Sequence, residues 1–192
     1  MVDNRLDALA ALRRGTHDLH QRLESAPLFA RLSAADLTRD DYICVLVALQ
    51  HLYAGLETGL IHSLRQHTPD YRYTPRLPLL QRDLAQLGGA AALNPDLPPA
   101  SVAGLAATLG MLYVIEGSAL GGKLLRERLQ SRLGAAVGGA LAFYGLEGDW
   151  PATQTLLRGS LTPDDIDQAV MAARQTFLLF IRSGEDALAQ VR

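Results

Sequence analysis

Apolar positions along the chain recur every three to four residues, which is the spacing of one buried face of an α-helix. The first such segment is expected over residues 3–24, with Asp3 or Asn4 as its N-terminal cap. Its apolar face contains Leu6, Leu9, Leu12, Thr16, Leu19 and Leu23. No segment alternates between apolar and polar residues as a half-buried strand does, so the pattern predicts an all-α fold.

Start and stop signals place the other helices. Thr38 and Asp41 form a capping-box variant at the start of a long core helix that ends before Pro69. Thr162-Pro-Asp-Asp165 starts the last helix, which is expected to reach about Ala189. Between them, helices are expected over residues 79–87, 102–116 (capped by Ser101) and 123–133, with shorter helical segments over 28–33 and 152–158.

A glycine-rich stretch, Glu116-Gly-Ser-Ala-Leu-Gly-Gly122, separates two of these helical patterns. It contains no proline and few polar residues, so we expect a kink or a local unwinding rather than a surface loop. Small residues here could let two helix backbones touch, or could let the backbone approach a flat ligand closely. The pattern leaves both interpretations open.

His20 lies within the apolar arc of the first helix, and a histidine in that position is either a hydrogen-bonded core residue or a ligand. Gly15 in the same helix is either tolerated on a solvated face or provides space beside a flat ligand. His20 and a glycine kink on another helix could together hold a planar macrocycle. One side would then supply an axial ligand, and the other would leave an open position for a small gas.

Composition and charge narrow the classes of function. The chain has 192 residues, of which 48% are hydrophobic and 20% charged, as in an ordinary single soluble domain. With 18 Lys and Arg against 20 Asp and Glu, the formal net charge of -2 provides no field for binding nucleic acid. We find no signal-peptide core, no transit pattern and no apolar run near the roughly 18 residues that span a bilayer. A cytoplasmic protein without membrane association is therefore expected.

Several common chemical motifs do not fit the sequence. The single cysteine, Cys44, excludes an internal disulfide and a cysteine-rich metal site. The run from Gly117 to Lys123 begins like a phosphate-binding loop, but Leu124 replaces the magnesium-binding hydroxyl and a helix precedes it. There is no G-x-S-x-G nucleophile motif, and the histidines do not form H-E-x-x-H or another compact zinc site.

Four blocks of the chain resemble, in the same order, blocks of the heme oxygenase family. Thr16-x-x-x-His20-x-x-x-Glu24 is similar to the family's proximal helix, and Gln50-His51-Leu52-Tyr53-x-x-Leu56-Glu57 to a second block. Glu116-Gly-Ser-x-Leu-Gly-Gly122 is similar to the distal helix of many bacterial members, and Thr176-Phe-Leu-Leu179 to the final helix. The blocks span nearly the whole chain, so residues 1–192 are identified as a single heme oxygenase-like domain of the bacterial type.

The resemblance implies a helical fold that sandwiches heme between a proximal helix and a kinked distal helix. It implies oxidative cleavage of heme to biliverdin, carbon monoxide and free iron. Heme would be both substrate and cofactor, O2 the oxidant, and electrons would come from an external reductase or ferredoxin. The resemblance implies one of two physiological purposes: recovery of iron, or supply of biliverdin to a photoreceptor.

Site residues follow from the resemblance position by position. His20 would be the proximal iron ligand, with Thr16 in the same block and Glu24 accepting the other ring N–H. Catalytic roles on the distal side would fall to the backbone and hydroxyl of Gly117, Ser118 and Gly121. The rest of the heme-binding set would comprise Gly122, Tyr53 and Phe177, with Arg13, Arg14, Lys123 and Arg158 as candidate partners of the propionates.

Ser118 stands where mammalian-type members carry an aspartate that orders distal water. An alcohol can relay protons through ordered water but cannot act as a carboxylate, which motivates an alternative: a non-catalytic heme carrier or sensor on the same scaffold. A third hypothesis is a helical enzyme of related shape for another small molecule, in which His20 is structural.

Overall fold

The structure, a computed structural model, describes residues 7–89 and 102–190. Within these ranges the chain forms helices and no strand, so the predicted all-α fold is confirmed. The α-helices are α1 (Ala8–Ser25), α2 (Pro27–Ala30), α3 (Arg39–His67), α4 (Leu77–Gln86), α5 (Gly104–Leu133), α6 (Trp150–Ser160) and α7 (Ile166–Gln190). Short 3-10 helices lie at Arg31–Ser33, Gly134–Ala136 and Pro163–Asp165.

The helix starts follow local capping chemistry. Thr38 and Asp41 form the predicted capping box of α3, in which Asp41 N–H donates to Thr38 Oγ1 (3.1 Å) and Thr38 N–H donates to Asp41 Oδ2 (2.9 Å). The predicted start of α1 was wrong, because Asp7 caps the helix by accepting the N–H of Leu9 at 3.1 Å. Asp3, Asn4 and Ser101 lie outside the described residues.

The two helices predicted over 102–116 and 123–133 are one continuous helix, α5. Residues 117–122 remain helical throughout, so the expected local unwinding was wrong, while a kink within the continuous helix stays a prediction. Each interior glycine costs about 1 kcal/mol of helix propensity. Burial of the preceding turns, in which Leu109 and Leu112 are fully inaccessible, outweighs that cost.

Helix α7 holds the two walls of the molecule together, because it packs against both α1 and α5. Its closest approach to α5 is at Gly110, where an added Cβ would overlap the carbonyl oxygen of Ala169. Its approach to α1 is at Gly15, where a Cβ would lie 2.5 Å from a methyl group of Val170. A cavity lies between the two helices that α7 supports.

Two segments of the described chain, Arg39–His67 and Gly104–Ala136, are long and apolar enough to span a membrane by length and composition. Both windows contain polar residues, so neither is the uninterrupted apolar run that the sequence was expected to lack. In the fold, 61% and 50% of these apolar windows are buried inside the protein. Their composition is that of core helices.

Candidate functional site

A cavity of about 860 Å³ lies between α1 and α5 and is bordered by α6 and α7. This volume is within the range of pockets that hold sizeable organic ligands. The apolar part of its wall is formed by Leu9, Leu23, Val114, Leu120, Trp150, Phe177 and Phe180. The other half of the lining is polar or charged and includes histidines, arginines and carboxylates, so the site combines apolar surface with groups that can fix the orientation of a ligand.

His20, the residue predicted to bind iron, lines this cavity from α1. Its side chain is 58% exposed, so it is not a hydrogen-bonded core histidine. Nδ1 lies 3.6 Å from Glu24 Oε1 one helical turn later, slightly beyond hydrogen-bond distance. Because Nδ1 faces Glu24, Nε2 is the ring nitrogen that can bind a ligand in the cavity.

The orientation of His20 depends on its neighbours. Phe177 of α7 meets the imidazole edge to face, with ring centroids 5.9 Å apart and planes at 70°. Thr16, one turn before His20, is buried and donates its hydroxyl to the carbonyl of Leu12 at 2.7 Å. Thr16 and Phe177 both line the cavity, so the structure brings together the predicted residues of the proximal side.

The opposite wall is formed by α5, with Gly117 and Ser118 at the cavity surface. Beyond Gly117 the nearest side chain is Trp150, 3.7 Å from the position of an added Cβ. The Ser118 hydroxyl donates to the carbonyl of Ile115 at 2.7 Å, and it lies near enough to the Tyr53 phenol to lower the pKa of that group. Tyr53 is buried behind Ser118, and this burial raises the pKa of its phenol.

The other two predicted distal glycines lie outside the cavity wall. A Cβ on Gly122 would be 3.3 Å from the carbonyl oxygen of Tyr144, so this glycine allows α5 to pack against the segment before α6. A Cβ on Gly121 would meet no atom within 4 Å. Their assignment to the ligand-binding set stays a prediction.

Arginines border the cavity at the end formed by α1 and α6. Arg13 and Arg14 line it from α1, and Arg158 lines it from α6 with Nε 3.8 Å from Asp7 Oδ1. Lys123, the fourth predicted cation, is not part of the wall. An anionic group at this end of a ligand would meet guanidinium groups from two helices.

Gly15 has a packing role rather than the proposed ligand clearance, because its space is filled by Val170 of α7. Trp150 and Gln154 also line the cavity, from α6, and were not among the predicted site residues. Trp150 is the only tryptophan of the chain and follows the helix cap Asp149, which could have drawn attention to it.

Comparison with known proteins assigns the family. The family model described as heme oxygenase matches residues 6–186, nearly the whole chain. The chain belongs to the heme oxygenase family. A curated heme oxygenase of Xanthomonas campestris is 37% identical to it over 123 residues, which are 63% of this chain and 72% of that protein. Membership in the heme oxygenase family makes the chain a heme-binding, heme-degrading enzyme, as its sequence predicted.

Solved heme oxygenases share its fold. The Leptospira interrogans enzyme superposes with a TM-score of 0.73 at 18% identity, covering 94% of this chain and 100% of that one. The Neisseria meningitidis enzyme, solved with NO and CO bound, gives 0.73 at 20% identity, covering 95% and 92%. The Synechocystis heme oxygenase-1, solved in complex with heme, gives 0.68 at 15% identity, covering 97% and 96%.

Proposed function

We propose that the cavity between α1 and α5 binds heme through His20 and that the protein cleaves it to biliverdin, carbon monoxide and iron. O2 is the oxidant in this proposal, and the electrons come from a separate reductase or ferredoxin. One observation carries the proposal: an accessible imidazole on α1 shares a cavity with the bare backbone of α5 at Gly117. A ligand bound to His20 would face a wall that has no side chain at that point.

The residues present fit a heme group. A planar, largely apolar macrocycle with charged substituents at one edge needs an apolar slot and cations at one end. The cavity has an apolar lining that includes Val114, Phe177 and Phe180, and its arginines lie where α1 and α6 meet. When bound, heme supplies the iron that activates O2, and it is also the substrate.

On the proximal side, the chain orients the ligand. His20 offers Nε2, while Glu24 is placed to favour the tautomer that carries its proton on Nδ1. Phe177 limits rotation of the ring through its edge contact. Thr16 keeps the inner face of α1 flat, because its hydroxyl is folded back onto Leu12.

On the distal side, the chain leaves space free of side chains and offers hydroxyl groups that can transfer protons. Gly117 leaves room beside the open position, and the Trp150 side chain borders that space. Ser118 lines the cavity, and the phenol of Tyr53 lies near it in the core, so the polar side-chain groups on this side are hydroxyls. A proton at the open position would thus pass through Ser118, not through a carboxylate, with Gly121 and Gly122 shaping the same helix.

Arg13, Arg14 and Arg158 are proposed to bind the propionates, because all three line the cavity. If they bind the propionates, these arginines would set the orientation of the macrocycle in the cavity and, with it, the meso carbon that is attacked. Lys123 could take part only at the margin of the site. The remaining partners that we propose are an electron-donor protein and a biliverdin-accepting photoreceptor, in the cytoplasm.

The decisive experiment is a hemin titration of wild type and His20→Ala, followed by addition of a reductant in air with catalase present. Wild type is expected to give a histidine-ligated heme spectrum that is replaced by biliverdin absorption. His20→Ala is expected to lose the histidine-ligated spectrum without loss of stability, because the side chain is mostly exposed. His17→Ala is the matched control, since His17 lies on the same helix and lines the same cavity.

Two outcomes would overturn this assignment. A hemin spectrum unchanged by His20→Ala would remove His20 as the ligand. A wild-type heme complex that is stable to reduction in air, with no biliverdin formed, would favour the heme carrier over the oxygenase.

A further inference from the structure

A cluster of buried charges lies behind the distal wall, on the side of α5 away from the cavity. Arg76, just before α4, pairs with Glu116 of α5 through Nη2 and Oε1 at 2.7 Å, and each side chain is only 3% exposed. The Arg76 guanidinium also lies 4.4 Å from the centroid of the Tyr73 ring. We call Glu57, Arg76 and Glu116 the buried charge network.

Glu57 of α3 is the second carboxylate of the network. Its Oε1 accepts the Arg76 N–H at 2.6 Å and the Tyr73 hydroxyl at 2.7 Å, and its Oε2 accepts the Leu77 N–H at 3.0 Å. Every one of these partners is a donor, which is the arrangement that an ionised carboxylate accepts. Glu57 therefore starts α4 and also adds a buried negative charge.

The carboxylate of Glu116 has a partner for one of its two oxygens, Oε1. Its Oε2 is buried and has no hydrogen-bond partner among the described residues. A Cβ on Gly148 would come within 2.5 Å of this oxygen, so any larger residue there would displace the carboxylate. A buried charged oxygen without a partner is costly, and an apolar residue would avoid the cost. The Arg76 guanidinium pairs with Glu116, whereas Glu57 accepts the backbone N–H of Arg76, so the three groups together carry an excess of one negative charge.

The network is connected to the cavity through α3 and α5. Tyr53 lies one turn before Glu57 on α3 and close enough to Ser118 for that hydroxyl to lower the pKa of its phenol, and Glu116 lies two residues before Ser118 on α5. The Arg76 guanidinium opposes the rise that burial causes in the pKa of Tyr53, and the carboxylates of Glu57 and Glu116 add to that rise. The charges of the network thus act on the hydroxyl pair of the distal wall.

We propose that the buried charge network positions the distal wall and supplies it with negative electrostatic potential, since its cavity-facing groups, Gly117 and Ser118, carry no charge. The inference rests on the proposed function, because it assigns a role toward bound heme. Glu57, Arg76 and Glu116 are positioning residues: they act through Tyr53 and Ser118. The other polar groups that border the network are the hydroxyls of Tyr71, Tyr73 and Thr153 and the carboxylate of Asp149.

The test compares variants that differ in the charge of the network, each as its ferric hemin complex. A metal-bound water loses a proton at a pH set by nearby charges, and this changes the visible spectrum. Glu116→Gln removes one negative charge and is expected to lower the midpoint of this transition, whereas Arg76→Met removes the positive charge and is expected to raise it. Each shift should be on the order of one pH unit for a charge roughly 10–15 Å away at an effective dielectric constant of about 20.

The double variant Arg76→Met/Glu116→Gln separates electrostatics from structure. It removes one charge of each sign, so its midpoint is expected to return toward that of wild type. A network with only a structural role would instead leave all midpoints unchanged or move them in the same direction. The double variant also keeps the test open if Arg76→Met alone fails to fold, because removing both members of a buried ion pair is often nearly neutral.

Asp83→Asn is the matched control for lost stability. Asp83 is another fully buried carboxylate, but its oxygens accept the backbone N–H groups of Ala142 (2.9 Å) and Phe143 (2.8 Å). We expect it to lower the unfolding temperature without moving the midpoint. The inference fails alone if wild type binds and cleaves heme while Glu116→Gln folds with an unshifted midpoint; failure of wild type to bind hemin overturns both proposals.

Discussion

The proximal and distal walls of the cavity are built in opposite ways. The polar motif of the proximal wall, from Thr16 to Glu24, lies on a single helix, and the ion pair that joins this helix to α7, Arg174 with Asp18, is exposed at the surface. The distal wall depends on Tyr53, Arg76 and Glu116, which come from three separate segments and are buried. A local motif can therefore define one wall, whereas the other exists only when the whole fold has formed.

This contrast extends to the way each wall meets α7. The α5 backbone approaches the α7 backbone at Gly110, whereas at Gly15 the α1 backbone meets side chains of α7, namely Val170 and Arg174, which donates to the Gly15 carbonyl. Backbone atoms cannot move aside without shifting a helix, but a side chain can change rotamer. The distal wall should therefore tolerate substitution less well than the proximal wall.

The largest effect is expected for Gly110→Ala. Its methyl group would overlap the carbonyl of Ala169, so α5 and α7 must separate and the core repacks. We expect a loss of at least about 3 kcal/mol in the free energy of unfolding, measured by urea denaturation.

Gly15→Ala is the matched control for that prediction. Because only Val170 must move, its cost should be about 1 kcal/mol, partly offset by the better helix propensity of alanine. Equal losses for the two variants would show that the walls do not differ in how rigidly they meet α7.

The next prediction compares the stability lost when each ion pair is broken, by Arg76→Met in the distal wall and by Arg174→Met in the proximal wall. Arg76→Met leaves Glu116 buried without a partner, which typically costs about 3–5 kcal/mol, or roughly 10 °C in unfolding temperature for a chain of this size. Arg174→Met breaks exposed contacts to Asp18 at 2.6 and 2.9 Å and should lower it by less than about 3 °C. Similar changes for both variants in a thermal melt would contradict the comparison.

The sequence could predict the proximal wall because helical periodicity carries most of its information. Leucine spacing and the His20 motif placed the imidazole on α1, and the capping boxes at Thr38 and Thr162 were visible as local patterns. By contrast, nothing local marks Arg76 as the partner of Glu116, which lies on another helix. The packing of Val170 against Gly15 likewise depends on tertiary structure, so the pattern alone suggested ligand clearance instead.

A smaller effect is expected on the affinity for hemin. Gly117→Ala adds a methyl group at the cavity surface, where Trp150 at 3.7 Å leaves ordinary contact distance, so the fold should be unaffected. Because the methyl group reduces the space for a bound macrocycle, we expect the dissociation constant for hemin to rise about tenfold. This corresponds to a loss of about 1.4 kcal/mol in binding free energy, measured by hemin titration.

Gly121→Ala, one turn later on the same helix, provides the comparison for that variant. Its methyl group meets no atom within 4 Å, so we expect unchanged hemin affinity and a gain of about 0.5–1 kcal/mol in stability from helix propensity. A loss of hemin affinity in Gly121→Ala would place this glycine in the binding wall after all.

The smallest effect concerns the surface ion pair of the proximal wall and its dependence on pH. The hydrogen bonds from Arg174 hold the pKa of Asp18 below its ordinary value of 3.8. A carboxyl group whose pKa is lower in the folded state stabilises the fold above the ordinary value, and this contribution is lost as the pH falls through the folded-state pKa. Asp18→Asn should therefore be slightly less stable than wild type near neutral pH and indistinguishable from it well below pH 3.8. The same pair should also respond to salt. Because Arg174 and Asp18 are exposed, high salt should remove the difference in stability between Asp18→Asn and wild type, whereas the loss of stability in Arg76→Met should persist. Thermal melts of the three proteins at both pH values, with and without salt, measure this directly; a salt-resistant loss in Asp18→Asn would show that the proximal pair is as strongly coupled as the buried one.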